Sequence, residues 1–204
     1  MLRGRGYAAR VSRALRCALV ALGLVPTAAA APARAGEQAL RLDPDATTIA
    51  FSLGATLHSV EGTIRLVSGE IRFDPVTGAA SGEIVVDARS AGTGLDSRDR
   101  EMHDEVLESA GHPRIVFRAG ALRVVRRDAA GAVVELAGTL ELHGETRPWK
   151  LPAKLVFDGD RVRIESNFRL PYVDWGLRDP SAFLLRVDRF VDVRVASEGR
   201  LAAP

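Results

Sequence analysis

Cysteine is almost absent from this chain of 204 residues, and the single one is Cys17, close to the N-terminus. The 169 residues that follow residue 35 therefore have no thiol for a disulfide, a metal thiolate or a cysteine nucleophile. Their stability must come from a hydrophobic core, and a segment of this length can bury one sizeable core. The composition therefore predicts a single domain, residues 36–204.

The sequence also lacks the motifs that mark common enzyme classes. It contains neither a Gly-x-Ser-x-Gly elbow nor a glycine-rich phosphate loop. Carboxylate pairs such as Asp104 with Glu108 are typical of solvated helix faces rather than of acid–base sites. We therefore predict that the protein is not an enzyme and uses no cofactor. A small-molecule enzyme is the weakest of three hypotheses, and the other two, a lipid-binding protein and a ligand-free interaction protein, are given below.

Histidines occur at four scattered positions, without a His-x-x-x-His grouping. They are His58, His103, His112 and His143. A metal site needs three or four converging ligands, and the helical pair of Asp99 and His103 offers at most two. The sequence therefore predicts no metal site.

Long apolar runs are missing as well, and the N-terminal one covers only residues 17–25. Five arginines precede it, and Ala33-Arg34-Ala35 offers a small-x-small cleavage site before Gly36. This arrangement is typical of a Sec-type signal peptide, and the run is too short for a stable membrane anchor. We expect residues 1–35 to be removed near Ala35, leaving a periplasmic or secreted protein without a transmembrane segment.

Removal of this segment reverses the net charge. It takes away six of the 28 basic residues and none of the 26 acidic ones, which leaves 22 against 26 and a net charge of −4. A nucleic-acid-binding protein needs a concentrated basic face. The remaining chain therefore gives no support for nucleic-acid binding.

Alternation of apolar and polar residues fills most of what remains, as expected of strands with one apolar face. Eight segments show it: 47–57, 63–73, 82–90, 115–124, 134–142, 149–157, 162–168 and 187–195. A sandwich and an up-and-down barrel both fit this pattern. Alternation along whole strands favours the barrel, because a closed sheet has one interior and one wet exterior. We predict an all-β fold, an eight-stranded antiparallel barrel.

One amphipathic segment interrupts the strands between Gly94 and Phe117. Asp96 or Ser97 can cap the start of a helix, and Gly111 suits a left-handed end before Pro113. The helix would present three apolar residues on one face and cover the barrel as a lid. These are Met102, Val106 and Leu107.

An eight-stranded barrel has room for packed side chains or for one ligand, and the inward positions here would line it with hydrocarbon. Trp175 and Phe183 fall in the irregular segment before the last strand, where they could plug one end; anchoring of the loop is an equal alternative for Trp175. The predicted ligand-lining residues are Phe51, Leu53, Ile64, Ile84, Val86, Phe117, Leu136, Leu140, Leu151, Leu155, Phe157, Ile164, Phe168 and Trp175.

The order and spacing of several short motifs resemble the YceI-like family, the polyisoprenoid-binding, lipocalin-like periplasmic proteins. The motifs are Leu42-Asp-Pro-Asp-Ala-Thr-Thr-Ile-Ala-Phe51, Gly69-Glu-Ile-Arg-Phe-Asp-Pro75, Ser90-Ala-Gly-Thr-Gly94 with Ser97-Arg-Asp99, His112-Pro-Arg-Ile-Val-Phe117 and Gly138-Thr-Leu-Glu-Leu-His-Gly144 with Thr146-Arg-Pro148. The residues 171–181 resemble a loop of one branch of that family.

The resemblance implies a lipocalin-like barrel whose lumen holds a long isoprenoid chain, as a carrier or reservoir of isoprenoids or isoprenoid quinones in the cell envelope. Arg98 could then approach the head group, since a guanidinium suits anionic oxygen acceptors; a purely structural ion pair at the helix start is the alternative. Another class of function also stays open, a ligand-free structural or interaction protein that acts through surface loops. The sequence leaves open a homodimer.

Overall fold

The computed structural model describes residues 36–56, 59–129, 131–181 and 186–202. Over these residues the chain forms eight antiparallel strands, each hydrogen-bonded to the next one in sequence. The last strand also pairs with the first, with Ile49 opposite Val195, and this pairing closes the sheet into a barrel. The expected signal peptide, residues 1–35, lies outside the described residues, as do His58 and Phe183.

The strands are long, and their bounds are as follows. They are β1 Gln38–Ala55, β2 Val60–Phe73, β3 Ala80–Gly92, β4 Arg114–Asp128, β5 Gly131–Leu142, β6 Glu145–Asp158, β7 Arg161–Leu170 and β8 Val187–Ala202. Between β3 and β4 lies α1, Asp96–Glu101, which continues as a π-helical segment, Met102–Val106. A 3₁₀ turn, Tyr172–Trp175, precedes β8. The predicted fold class, an eight-stranded antiparallel barrel with one short helix, is confirmed.

Burial follows the alternation in the sequence, most regularly in β7. Val162, Ser166 and Leu170 are buried, whereas Arg161 and Arg163, on either side of Val162, are exposed. A strand that buries every second side chain must face an apolar interior on one side and water on the other. The period-2 pattern therefore decided which face of each strand points inward.

Charged side chains pair across neighbouring strands on the outer surface. Arg118 on β4 donates to Glu83 on β3 at 2.9 Å and to Glu141 on β5 at 2.7 Å. These groups are roughly half exposed, and such pairs contribute at most about 1 kcal/mol each. These ion pairs keep the charged side chains of β3, β4 and β5 on the outer surface but add little to the stability of the barrel.

The first strand begins at Gln38 rather than at Thr47, where the alternation starts. Its register shifts between Arg41 and Ile49, so the early part of the strand is separated from the rest by an irregular stretch. Within that stretch Asp43 accepts from the amide of Asp45 at 3.0 Å and, through its carbonyl, from the hydroxyl of Thr47 at 2.6 Å. These local bonds form a bulge, which hides the period-2 pattern from a sequence reading.

The helix is shorter than predicted and differs from the prediction at both ends. Leu95 occupies the N-cap position without a side-chain hydrogen bond, so neither Asp96 nor Ser97 caps it. At the other end Glu108, not Gly111, takes the left-handed conformation, with a φ of 44°. Among the described residues, no helix has the length and apolar character needed to cross a membrane. We call residues 96–106 the lid.

Connections of very different length occupy the two ends of the barrel. In an up-and-down barrel alternate connections lie at the same end, so the lid, the turn at His143–Gly144 and the loop before β8 share one end. The connections after β2, β4 and β6 are short and share the other. We call these the lidded end and the short-turn end. Leu142, Tyr172 and Leu177 belong to a packed core cluster at the lidded end.

Candidate ligand-binding cavity

A cavity of about 900 Å³ fills the lumen of the barrel. Inward-facing side chains from all eight strands line it, for example Leu53 on β1, Ile84 on β3 and Val191 on β8. The volume lies near the upper end of the range typical of small-molecule sites. The lumen is therefore a chamber with an apolar wall rather than a core that side chains fill.

The structure brings thirteen of the fourteen predicted barrel residues to this wall. They are Phe51, Leu53, Ile64, Ile84, Val86, Phe117, Leu136, Leu140, Leu151, Leu155, Phe157, Ile164 and Phe168. The three predicted lid residues, Met102, Val106 and Leu107, line it too, as does Arg98. Contact of these residues with a ligand stays a prediction. Trp175 is the exception, because it does not line the cavity.

Many of the inward-facing residues are only half-buried. Ile84, Leu151 and Val193 have intermediate exposure although they point into the lumen. A residue in a packed core touches neighbours on every side and loses almost all of its accessible surface. Their remaining exposure means that these apolar side chains face open space inside the barrel.

Hydroxyl groups in the wall already have partners within the protein. Thr47 and Ser197, on β1 and β8, share a hydrogen bond of 2.6 Å, and Ser166 on β7 donates to the carbonyl of Pro152 at 2.5 Å. A hydrocarbon in the lumen would leave none of these three hydroxyl groups unpaired. The chemistry of the wall therefore favours an apolar ligand.

The lid is fixed to the barrel wall by His103. Its Nε2 lies 2.9 Å from the carbonyl oxygen of Ala91 on β3, and its Nδ1 lies 2.9 Å from the hydroxyl of Ser109. Because a carbonyl can only accept, Nε2 carries the proton, and in the neutral ring Nδ1 accepts from Ser109. His103 thus positions the π-helical segment over the cavity.

A network of hydrogen bonds among Thr93, Arg98 and Asp99 fixes the start of the lid. Asp99 accepts from the backbone amide of Thr93 at 2.9 Å and from its hydroxyl, and the hydroxyl lowers the pKa of Asp99 below its ordinary value. Arg98 donates to the hydroxyl of Thr93 at 2.8 Å and to its carbonyl at 3.1 Å. Arg98 therefore has a structural role, and it also borders the cavity.

The loop before β8 turns inward and helps to close the lidded end. Trp175 is 2% exposed, donates its indole N–H to the carbonyl of Leu140 at 3.0 Å, and packs edge-on against Trp149 with 5.4 Å between ring centroids. Gly176 follows with a φ of 77°, a conformation that suits glycine and ends the 3₁₀ turn. Trp175 thus anchors the loop and does not border the cavity, which agrees with the second of the two alternatives given for it.

At the short-turn end the wall is less well covered. Phe157 and Val124 border the cavity there and are 37% and 50% exposed. Arg127 borders the cavity as well, and its residue is exposed. The cavity thus extends from the lid at one end to the short connections at the other.

A second group of residues, outside the cavity wall, was not anticipated from the sequence. Glu108, His112 and His143 place one possible ligand atom each within 4.8 Å of the others. They come from the segment after the lid, the residue before Pro113 and the turn between β5 and β6. Glu108 and His112 are four positions apart, but His143 follows His112 by 31 positions, so no local sequence pattern joins all three.

Comparison with known proteins agrees with this architecture. A family model described as the YceI-like domain matches residues 40–199. A UPF0312 protein of Vibrio cholerae is 26% identical over 148 residues, which is 69% of this chain and 74% of that protein. Protein YceI of Escherichia coli is 26% identical over 146 residues, which is 68% of this chain and 72% of that protein.

Two solved structures share the fold. BcnA of Burkholderia cenocepacia aligns with a TM-score of 0.62 at 14% identity, over 79% of this chain and 99% of that one. A polyisoprenoid binding domain from Saccharophagus degradans, implicated in plant cell wall breakdown, aligns with a TM-score of 0.59 at 19% identity. The alignment covers 81% of this chain and 98% of that domain. At these identities the likeness concerns the fold.

Proposed function

This chain belongs to the YceI-like family, and we propose that it binds a long apolar lipid, an isoprenoid or an isoprenoid quinone, in the lumen of its barrel. It would serve as a carrier or reservoir in the cell envelope, after export by the expected signal peptide. The polyisoprenoid binding domain of the same fold supports this choice of ligand class. The protein is proposed as a binding protein and not as an enzyme.

The observation that carries the proposal is the half-exposed apolar wall of the cavity. Transfer of each methylene group from water to such a wall is worth about 0.8 kcal/mol. A chain of ten methylenes would gain about 8 kcal/mol before the costs of immobilising it and of lost rotational freedom. Hydrocarbon burial is thus the main source of affinity in this proposal, and it grows with the length of the chain.

The direct test is organic extraction of the purified protein followed by mass spectrometry. We expect an isoprenoid lipid in an amount close to one molecule per chain. A barrel that yields no lipid, and that binds none added to the delipidated protein, would contradict the proposal. That result would favour the ligand-free interaction protein instead.

Affinity for ubiquinones with increasing numbers of prenyl units provides a second test. Because each unit buries more hydrocarbon, the affinity should rise with chain length until the cavity is full and then stop rising. Ala153 faces the cavity and Lys154 next to it faces water. Ala153→Trp should therefore weaken binding of the longest chains most, whereas Lys154→Trp should leave the series unchanged.

The head group would lie at the lidded end, near Arg98. Arg98 borders the cavity, and two of the five N–H donors of its guanidinium are engaged by Thr93. Arg98→Gln should weaken binding of a ubiquinone relative to a hydrocarbon of the same prenyl length. Arg127→Gln, at the short-turn end, is the control. An effect confined to Arg127→Gln would place the head group at the opposite end.

A further inference from the structure

The geometry points to a metal-binding site at the cluster of Glu108, His112 and His143. A carboxylate oxygen of Glu108 lies 3.7 Å from Nε2 of His143. The imidazole rings of His112 and His143 have centroids 4.5 Å apart and are tilted by 52°. Two imidazole nitrogens and one carboxylate oxygen thus converge from two parts of the sequence, the segment after the lid and the turn between β5 and β6.

The backbone at two of the three residues is in a conformation that non-glycine residues rarely adopt. Glu108 has a φ of 44° and His143 a φ of 53°, and among the described residues these are the two non-glycine positions with positive φ. Strain of this kind is concentrated at functional sites, where the surroundings hold it in place. Here both strained residues direct a ligand atom into the same cluster.

One ligand atom is also left without a partner by the protein. Nε2 of His143 is buried, and it has no hydrogen-bond partner among the described residues. Buried polar atoms are nearly always paired, so an orphaned imidazole nitrogen needs an explanation. The carboxylate of Glu108 at 3.7 Å is too distant to accept a hydrogen bond from it.

A metal ion can satisfy this atom once the side chains draw closer, since the three ligand atoms lie within 4.8 Å of one another. Zn²⁺ binds nitrogen and oxygen ligands at about 2.0–2.2 Å, so two ligands of a tetrahedral ion are about 3.3–3.5 Å apart. The separation between Glu108 and His143 exceeds this by a few tenths of an ångström. Two histidines and one glutamate are a donor set that Zn²⁺ takes, with its fourth position left to water.

We propose that these three residues bind a divalent transition-metal ion, for which Zn²⁺ is the best fit. The ion would join the segment after the lid, including His112 before Pro113, to the turn between β5 and β6. It would thereby fix one end of the lid to the rim of the barrel. None of the three residues borders the lipid cavity, so this proposal is independent of the proposed lipid ligand.

Calorimetric titration of the purified, chelator-treated protein with Zn²⁺ tests the site. We expect one Zn²⁺ per chain and a rise in melting temperature when Zn²⁺ is present. His143→Asn keeps the fold, since asparagine tolerates a left-handed backbone, but it should weaken Zn²⁺ binding at least about tenfold. Glu108→Gln should weaken binding as well. Asp104→Asn removes the same charge four residues earlier and should bind like the wild type.

The electronic spectrum of the Co²⁺-loaded protein provides the second measurement. Tetrahedral coordination by two imidazoles should give strong visible absorption that His143→Asn abolishes. Zn²⁺ binding that is absent at one equivalent, or equal in the wild type and in His143→Asn, would overturn the proposal. So would binding that Asp104→Asn weakens as much as Glu108→Gln does, because that pattern indicates diffuse attraction to surface carboxylates.

Discussion

Replacement of Trp175 by phenylalanine should destabilise the barrel without affecting the lipid cavity. The indole is buried, bonds the carbonyl of Leu140 and packs against Trp149, yet it does not border the cavity. Trp175→Phe keeps an aromatic ring in place and removes the N–H donor and part of the ring. The loop before β8 would then lose its main attachment to the wall.

The size of the effect follows from these contacts. Loss of the hydrogen bond costs about 1 kcal/mol. The ring loses about three heavy atoms from a fully buried site, which costs about 2 kcal/mol more. The free energy of unfolding should thus fall by about 3 kcal/mol. For a domain of this size the melting temperature should drop by about 6–12 °C.

Urea unfolding followed by circular dichroism measures this change as a shift of the midpoint at constant slope. Leu151→Ala is the matched variant, because Leu151 borders the cavity and is only half-buried. It should weaken binding of a long-chain ubiquinone and destabilise the fold less than a typical core truncation. A loss below about 1 kcal/mol for Trp175→Phe would refute the anchoring role. A fall in ubiquinone affinity larger than that of Leu151→Ala would make Trp175 a ligand contact.

Three further predictions address the lidded end and the wall. Burial raises the pKa of Tyr172 to about 12, against an ordinary value of 10.0. Because the folded state favours the neutral phenol, the free energy of unfolding should not change below pH 10 and should fall between about pH 10 and 12. Tyr172 is the only tyrosine after residue 35, so absorbance at 295 nm should show one late titration that moves to about pH 10 on unfolding. Arg178 pairs with Glu105 of the lid. Arg178→Gln should speed lipid exchange and change the free energy of unfolding by less than about 1 kcal/mol. An unchanged exchange rate would show that this pair does not hold the lid. Gly138→Ala places a Cβ 2.0 Å from a backbone oxygen and should lower the free energy of unfolding by about 1–3 kcal/mol. The control is Gly120→Ala, whose Cβ has its nearest atom at 3.7 Å. Equal urea midpoints for the two variants would contradict this reasoning.

Prediction from the sequence succeeded where the physical signal is local. Alternation along β7 identifies Val162, Ile164 and Phe168 as inward-facing, and the structure places all three at the cavity wall. It failed at the start of β1, since the hydrogen bonds of Asp43 form a bulge that breaks the alternation. Helix ends were mispredicted for a similar reason. Leu95 occupies the N-cap position, and the side chain of Asp99 bonds Thr93, which precedes the helix.

Positions in the irregular segments depend on distant contacts and could not be assigned. Trp175 falls in the irregular segment before β8, where the sequence leaves a position in the lumen and an anchoring role in the loop as equal alternatives. Its indole instead reaches the carbonyl of Leu140, 35 residues earlier. The three residues of the proposed metal site likewise come together only when the turn between β5 and β6 approaches the end of the lid.

The sequence by itself determined that most of the chain after residue 35 forms strands with one apolar face, which favours a barrel with an apolar interior, because a strand's side chains alternate with a fixed period. The tertiary structure decided whether that interior is filled. The inward-facing side chains and the loop before β8 together leave about 900 Å³ open. They also decided which residues close one end and which meet at its rim, since those contacts join residues far apart in the chain.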